Sequence, residues 1–104
     1  MASNYRVELS TDAKFGLRKI QEYITSEFKS PQTANRQSER ILKAIRTLEV
    51  FPKLYRVRIK DAKGRDIRLL PVDNYVVIYH VDEDNHIVKV LHISYGRRNF
   101  ENMI

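Results

Sequence analysis

The apolar positions of this chain change their period once, at about the midpoint. Tyr5, Val7 and Leu9 alternate with Arg6 and Glu8, the period-two pattern of a short strand with one buried face. Ser10-Thr11-Asp12 then offers hydroxyl and carboxylate acceptors to the first N–H groups of a helix, and Asp12 suits the positive end of its dipole. Ala13, Leu17, Ile20, Ile24 and Phe28 follow at spacings of four, three, four and four, which predicts one apolar helical stripe flanked by Phe15 and Tyr23. Ser30-Pro31 restarts the pattern with a capping hydroxyl and a proline at the first helical position. Ala34, Ser38, Ile41, Ile45 and Leu48 repeat the stripe, Arg36, Glu39, Arg40, Lys43 and Arg46 occupy the other sides, and Phe51-Pro52 ends the element. Two helices of about 18 residues, each roughly 27 Å long and joined by so short a link, must run antiparallel.

From Tyr55 the period is two. Tyr55, Val57 and Ile59 alternate with Arg56, Arg58 and Lys60, Asp61 to Gly64 reads as a turn, and Ile67 to Val72 is the next strand. Asp73-Asn74 is a two-residue break between apolar runs, a hairpin signal. Tyr75 to Val81 is apolar on both faces except at His80, and Ile87 to Tyr95 is nearly so, which marks them as central strands, with Asp82-Glu83-Asp84-Asn85 as an acidic turn between them. The expected fold class is α+β: β-α-α-β-β-β(-β), an antiparallel twisted sheet packed against an α-helical hairpin, as a single domain over residues 1–104. The sheet face away from the hairpin is expected to be open, with Arg56, Arg58, Arg68, Arg97 and Arg98 near it.

Composition narrows the partner. Nineteen Lys and Arg against thirteen Asp and Glu leave a net charge of +6, which favours a polyanion or an acidic protein. No cysteine is present, so disulfides, thiolate metal sites and cysteine nucleophiles are excluded. Three histidines without ligand spacing give no metal site and no cofactor is expected; a glycine-rich phosphate loop is also missing. The start, MASNYRVEL, has no basic-then-apolar leader and no stretch is long enough to span a bilayer, so a cytoplasmic protein without membrane contact is expected.

Several segments together resemble a known pattern. The strand ending in a polar turn and Ala13, the break at Ser30-Pro31 before Ala34, Leu48 with Phe51-Pro52, Arg68-Leu69-Leu70-Pro71-Val72-Asp73-Asn74-Tyr75, Ile78-Tyr79-His80-Val81 and Tyr95-Gly96-Arg97-Arg98 are similar, in order and spacing, to the RelE/ParE superfamily of toxins from bacterial type II toxin–antitoxin systems. The resemblance implies a basic growth inhibitor, of the kind tied to plasmid stabilisation, held inactive by a cognate acidic antitoxin encoded beside it, often as a heterotetramer. RelE-like members cleave messenger RNA on the ribosome; ParE-like members poison DNA gyrase. A third possibility is a non-toxic basic adaptor that binds antitoxin or nucleic acid.

Metal-independent RNA cleavage would need a base, cations on the phosphate and an acid for the leaving oxygen. Arg68 and Arg98 match the phosphate-binding role, since each guanidinium fork can hold two phosphate oxygens, and Tyr95 and His92 are the proton-transfer candidates. The plain alternative pairs Arg68 with Asp66 or Asp73 and leaves Arg97 and Arg98 as a solvated strand end. Arg56, Arg58, Arg97 and Arg98 are the candidate target-binding cations. Arg36, Arg40, Lys43 and Arg46 are the candidate antitoxin contacts, beside a groove between the hairpin and the sheet edge that would take an amphipathic segment. Two departures from the nuclease branch lean the reading towards gyrase: Val76 stands where that branch carries an arginine after the aromatic Tyr75, and no Tyr or His acid follows Gly96-Arg97-Arg98.

Overall fold

A computed structural model of the chain describes residues 4–96. In it, β1 (Arg6–Leu9) leads into helices α1 (Thr11–Phe28) and α2 (Pro31–Arg46), a 3₁₀ turn (Thr47–Glu49), and then strands β2 (Val57–Lys60), β3 (Asp66–Val72), β4 (Tyr75–Asp82) and β5 (Ile87–Tyr95). The two capping serines act as the sequence predicts. Ser10 Oγ accepts from the Ala13 N–H at 2.9 Å, and its own hydroxyl donates to the Leu91 carbonyl at 2.7 Å, so the start of α1 is tied to β5. Lys29 takes a left-handed conformation that stops α1, and Ser30 Oγ caps α2 through the Thr33 N–H at 3.2 Å.

The strand order is β1-β5-β4-β3-β2. Strands β2 to β5 form the expected antiparallel meander, while β1 adds to the free edge of β5 in parallel, with Arg6 to Leu9 facing Ile87 to Val90. The sheet is therefore mixed. The main core lies between its helix-facing side and the hairpin: Ala13, Ile20, Ile24, Ala34, Ile41, Ile45 and Leu48 meet Leu70, Val72, Val77, Tyr79, Val88, Val90 and Ile93. Each large aliphatic side chain fully buried here contributes roughly 1.5–3 kcal/mol. The predicted α1 stripe holds except at its end, where Phe28 is two-thirds exposed.

The opposite side of the sheet is not the open face that the alternation suggests. Ile67, Leu69, Val76 and Ile78 are buried there and make a second apolar cluster with Ile59 and Leu91. An irregularity between Ile78 and Tyr79 is matched on β5 by the extra residue Leu91, so Tyr79 pairs with Val90 but Ile78 pairs with His92. The face pattern of β5 consequently reverses: Val88 and Val90 point to the helices, then Leu91 and His92 share the far side, and Ile93 returns to the main core.

Candidate functional site

Three surfaces follow from this frame. The largest is a cleft of about 810 Å³ where α1 and the first turns of α2 overhang the β3–β4 turn and the end of β5. Ile20, Ile24, Tyr75 and Ile93 form its apolar floor, and the exposed rings of Tyr23, Phe28 and Tyr95 stand along its mouth. Gly16 lets α1 approach β5 here, since a Cβ at that position would lie 2.2 Å from the Ile93 carbonyl oxygen. Tyr75 and Tyr95 meet edge to face with ring centres 5.5 Å apart. Burial, with Tyr95, Tyr23 and Asp73 nearby, raises the Tyr75 phenol above its ordinary pKa.

The rim of this cleft is polar and basic. Asp73 takes a positive φ in the β3–β4 turn and accepts two hydrogen bonds from α2, from Arg40 Nη2 at 2.6 Å and from Gln37 Nε2 at 3.0 Å. Lys19 completes the rim over the Phe15 ring, with 5.2 Å from its Nζ to the ring centre. An apolar trough with cations at its lip suits an amphipathic segment that carries carboxylates on its outer face.

A second surface lies where residues 50–56 cross the helix-facing side of the sheet. The buried Tyr79 hydroxyl donates to the Pro52 carbonyl at 2.9 Å, and Arg68 Nη1 donates to the Tyr55 carbonyl at 2.6 Å. Lys53 and Glu83 form an ion pair that fastens the same crossing to the β4–β5 turn. Burial pushes the Tyr79 phenol up to about 12, against the opposing charge of Arg68.

The third surface is on the far side. Arg56 and Arg58 flank a shallow depression of about 150 Å³ floored by Leu69, Pro71 and Val76. A neighbouring hollow of about 270 Å³ brings the Asp61–Arg65 turn against Ser10, Asp12, Leu91 and His92. The turn is set by Asp61, whose carboxylate accepts from the N–H groups of Lys63 and Arg65 and from Arg65 Nε at 2.7 Å. Lys60 is bound to Asp66 at 2.6 Å; the hydrogen bond and charge of that ammonium hold the carboxyl below its ordinary range.

The described members of the proposed catalytic set are not gathered in one place. Arg68 pairs across the sheet with Tyr79, so its side chain is on the helix-facing side and not on the far side where the sequence placed it. It bonds to neither Asp66 nor Asp73, because Lys60 and Arg40 hold those carboxylates. Tyr95 shares the helix-facing side but pairs with Tyr75, four residues further along β4, roughly 13 Å away. His92 faces the other way. Arg97 and Arg98 lie outside the described residues, and so does the convergence expected of Arg68 with Arg98. Arg56 and Arg58 are on the far side as expected.

The four α2 cations separate along the helix. Arg40 stands at the cleft; Arg36 is exposed one turn before it, while Lys43 and Arg46 occupy the last turn, Arg46 roughly 20 Å from Thr33 at the cleft end. Sequence reasoning missed the exposed apolar side chains of the cleft and of the crossing, Phe28, Phe51 and Leu54 above all; the only signal was that Phe28 closes its stripe beside a helix break. Among the described residues no group of His, Asp or Glu is placed to hold a metal ion, and no helix is long and apolar enough to cross a membrane.

Comparison with known proteins places this arrangement. The family model for the ParE toxin of type II toxin–antitoxin systems, parDE, matches residues 7–100. No curated protein matches the sequence significantly. Among solved structures, the chain is similar to one from the chromosomal ParDE toxin–antitoxin system of P. aeruginosa, with 14% identity and a TM-score of 0.73, covering 92% of this chain and 100% of that one. It is also similar to a chain of the archaeal RelE–RelB complex from Pyrococcus horikoshii, with 20% identity, a TM-score of 0.63, and coverage of 91% and 98%. The RelBE2 toxin–antitoxin complex from Mycobacterium tuberculosis gives 15% identity, a TM-score of 0.62, and coverage of 88% and 98%. At these identities the structures establish a shared fold.

Proposed function

Because the chain belongs to the ParE toxin family of type II toxin–antitoxin systems, we propose that it arrests growth by acting on DNA gyrase and is silenced by an acidic antitoxin segment seated in the cleft between the helical hairpin and the β3–β4 turn. The observation that carries the gyrase reading is Val76. It occupies the position where the nuclease branch is expected to place an arginine, and its side chain is wholly buried in the second apolar cluster, so no cation can be presented to a phosphate from that point. The dispersal of Arg68, Tyr95 and His92 over two faces supports the same reading, since proton transfer and phosphate neutralisation must act on one scissile bond.

The silencing step uses the cleft. Apolar anchors of the antitoxin fill the trough against Ile20, Ile24 and Ile93, its carboxylates meet Lys19, Arg36 and Arg40, and the segment orders as it binds. The test is induction in a host lacking the antitoxin, with transcripts mapped by primer extension. Arrested growth with intact message and a DNA-damage response supports the reading; cuts within translated message contradict it. Tyr23→Ala with Phe28→Ala should leave growth arrest intact while co-expression of the neighbouring antitoxin no longer relieves it.

A further inference from the structure

Phe51, Leu54 and Val57 are 59%, 62% and 37% exposed, three large apolar side chains within seven consecutive positions. They are held in place. The crossing that carries them is bonded through Pro52 to Tyr79, through Tyr55 to Arg68 and through Lys53 to Glu83, and the Leu54 N–H closes a turn onto the Phe51 carbonyl at 3.2 Å. Exposed apolar groups on a rigid segment lose little conformational entropy on docking, which is how interface anchors gain affinity.

Along the chain the charge of this stretch is one-sided, although Glu83 from the β4–β5 turn pairs with Lys53. From Lys43 to Arg58 the chain carries five cations and a single carboxylate, Glu49. Among the described residues Lys43, Arg46 and Arg56 form no ion pair. The crossing follows the last turn of α2, the end opposite the cleft, and the Val50 and Phe51 N–H groups are bonded back to Thr47.

We infer that Phe51, Leu54 and Val57, on a stretch of chain that also carries Lys43, Arg46 and Arg56, form a second docking surface, separate from the antitoxin cleft, that takes an acidic protein surface, and that on the reading above this surface belongs to gyrase. A second copy of this chain is disfavoured by its net charge of +6. Nucleic acid would use the cations but leave Phe51, Leu54 and Val57 without a matching apolar surface. The division of surfaces assigns neutralisation and target binding to opposite ends of the helical hairpin.

The test uses the full chain with purified DNA gyrase as the probe. Phe51→Ser with Leu54→Ser should weaken gyrase binding at least tenfold and lose growth arrest, while the affinity for purified antitoxin and the unfolding midpoint stay as in wild type. If that variant does not fold, Arg46→Glu with Arg56→Glu carries the same expectation on exposed positions alone. Wild type that binds gyrase and a folded variant that binds equally well overturn the inference while leaving the functional reading intact. Wild type that never engages gyrase overturns the functional reading and this assignment with it. Concurrent loss of antitoxin binding, or a parallel loss of binding to a gyrase-free DNA duplex, also overturns it, because the patch would then belong to the antitoxin's footprint or to nucleic acid.

Discussion

Gly16 on α1 lies so close to Ile93 on β5 that a methyl group on its Cα would stand 2.2 Å from the Ile93 carbonyl oxygen. Both partners in that contact are backbone, so neither can swing aside, and both line the cleft. Gly16→Ala gains up to about 1 kcal/mol of helix propensity. The overpacking costs about 2–3 kcal/mol and outweighs it. A lower urea midpoint and weaker antitoxin neutralisation are expected; an unchanged midpoint would mean that α1 shifts freely on the sheet.

Tyr79→Phe keeps the ring but leaves the Pro52 carbonyl without its donor. The expected cost is about 1–2 kcal/mol in chemical unfolding. The pH dependence has a definite sign. Burial raises the folded phenol to about 12, so above pH 10 the unfolded chain releases this proton first and stability falls as pH climbs towards 12. The difference between wild type and Tyr79→Phe should therefore shrink over that interval.

Ser38 is buried in α2 among Ala34, Ile41 and Ile45, and its hydroxyl has no hydrogen-bond partner among the described residues. Ser38→Ala removes an unsatisfied polar group without opening a cavity larger than one oxygen. Thermal unfolding should rise or hold, by about 0.5–1 kcal/mol. A clear loss of stability would reveal a partner for the hydroxyl.

Asp61→Asn tests the β2–β3 turn on the acid side. Burial alone would raise the Asp61 pKa, but the Arg65 N–H, the Arg65 guanidinium with its charge, and the Lys63 N–H outweigh it and bring the carboxyl below 3.8. Its stabilisation is thus present above about pH 4 and lost as pH falls through the lowered value. Acid unfolding of wild type should be steeper than that of Asp61→Asn, and equal slopes would assign the turn's stability elsewhere.

The parts of this fold that were legible in the sequence are those set by local chemistry. Ser10 and Ser30 cap where hydroxyls precede apolar stripes, and Asp73-Asn74 turns where two strands need a positive φ. The site was less legible because alternation fixes which residues share a face only while the register is unbroken. Leu91 as an extra residue reverses β5, which sends His92 to the far side, and parity with Leu70 and Val72 puts Arg68 on the helix-facing side. The burial of Ile67, Val76 and Ile78 on the far side, like the parallel pairing of β1, depends on long-range geometry that no local pattern encodes.

The most direct measurement incubates the purified protein with DNA gyrase, ATP and supercoiled plasmid, followed by detergent and protease to release trapped complexes. Linearised plasmid, absent when gyrase is omitted and suppressed when antitoxin is added first, is the predicted result. Plasmid with no trapped cleavage, alongside cutting of ribosome-bound message by the same preparation, would contradict the account.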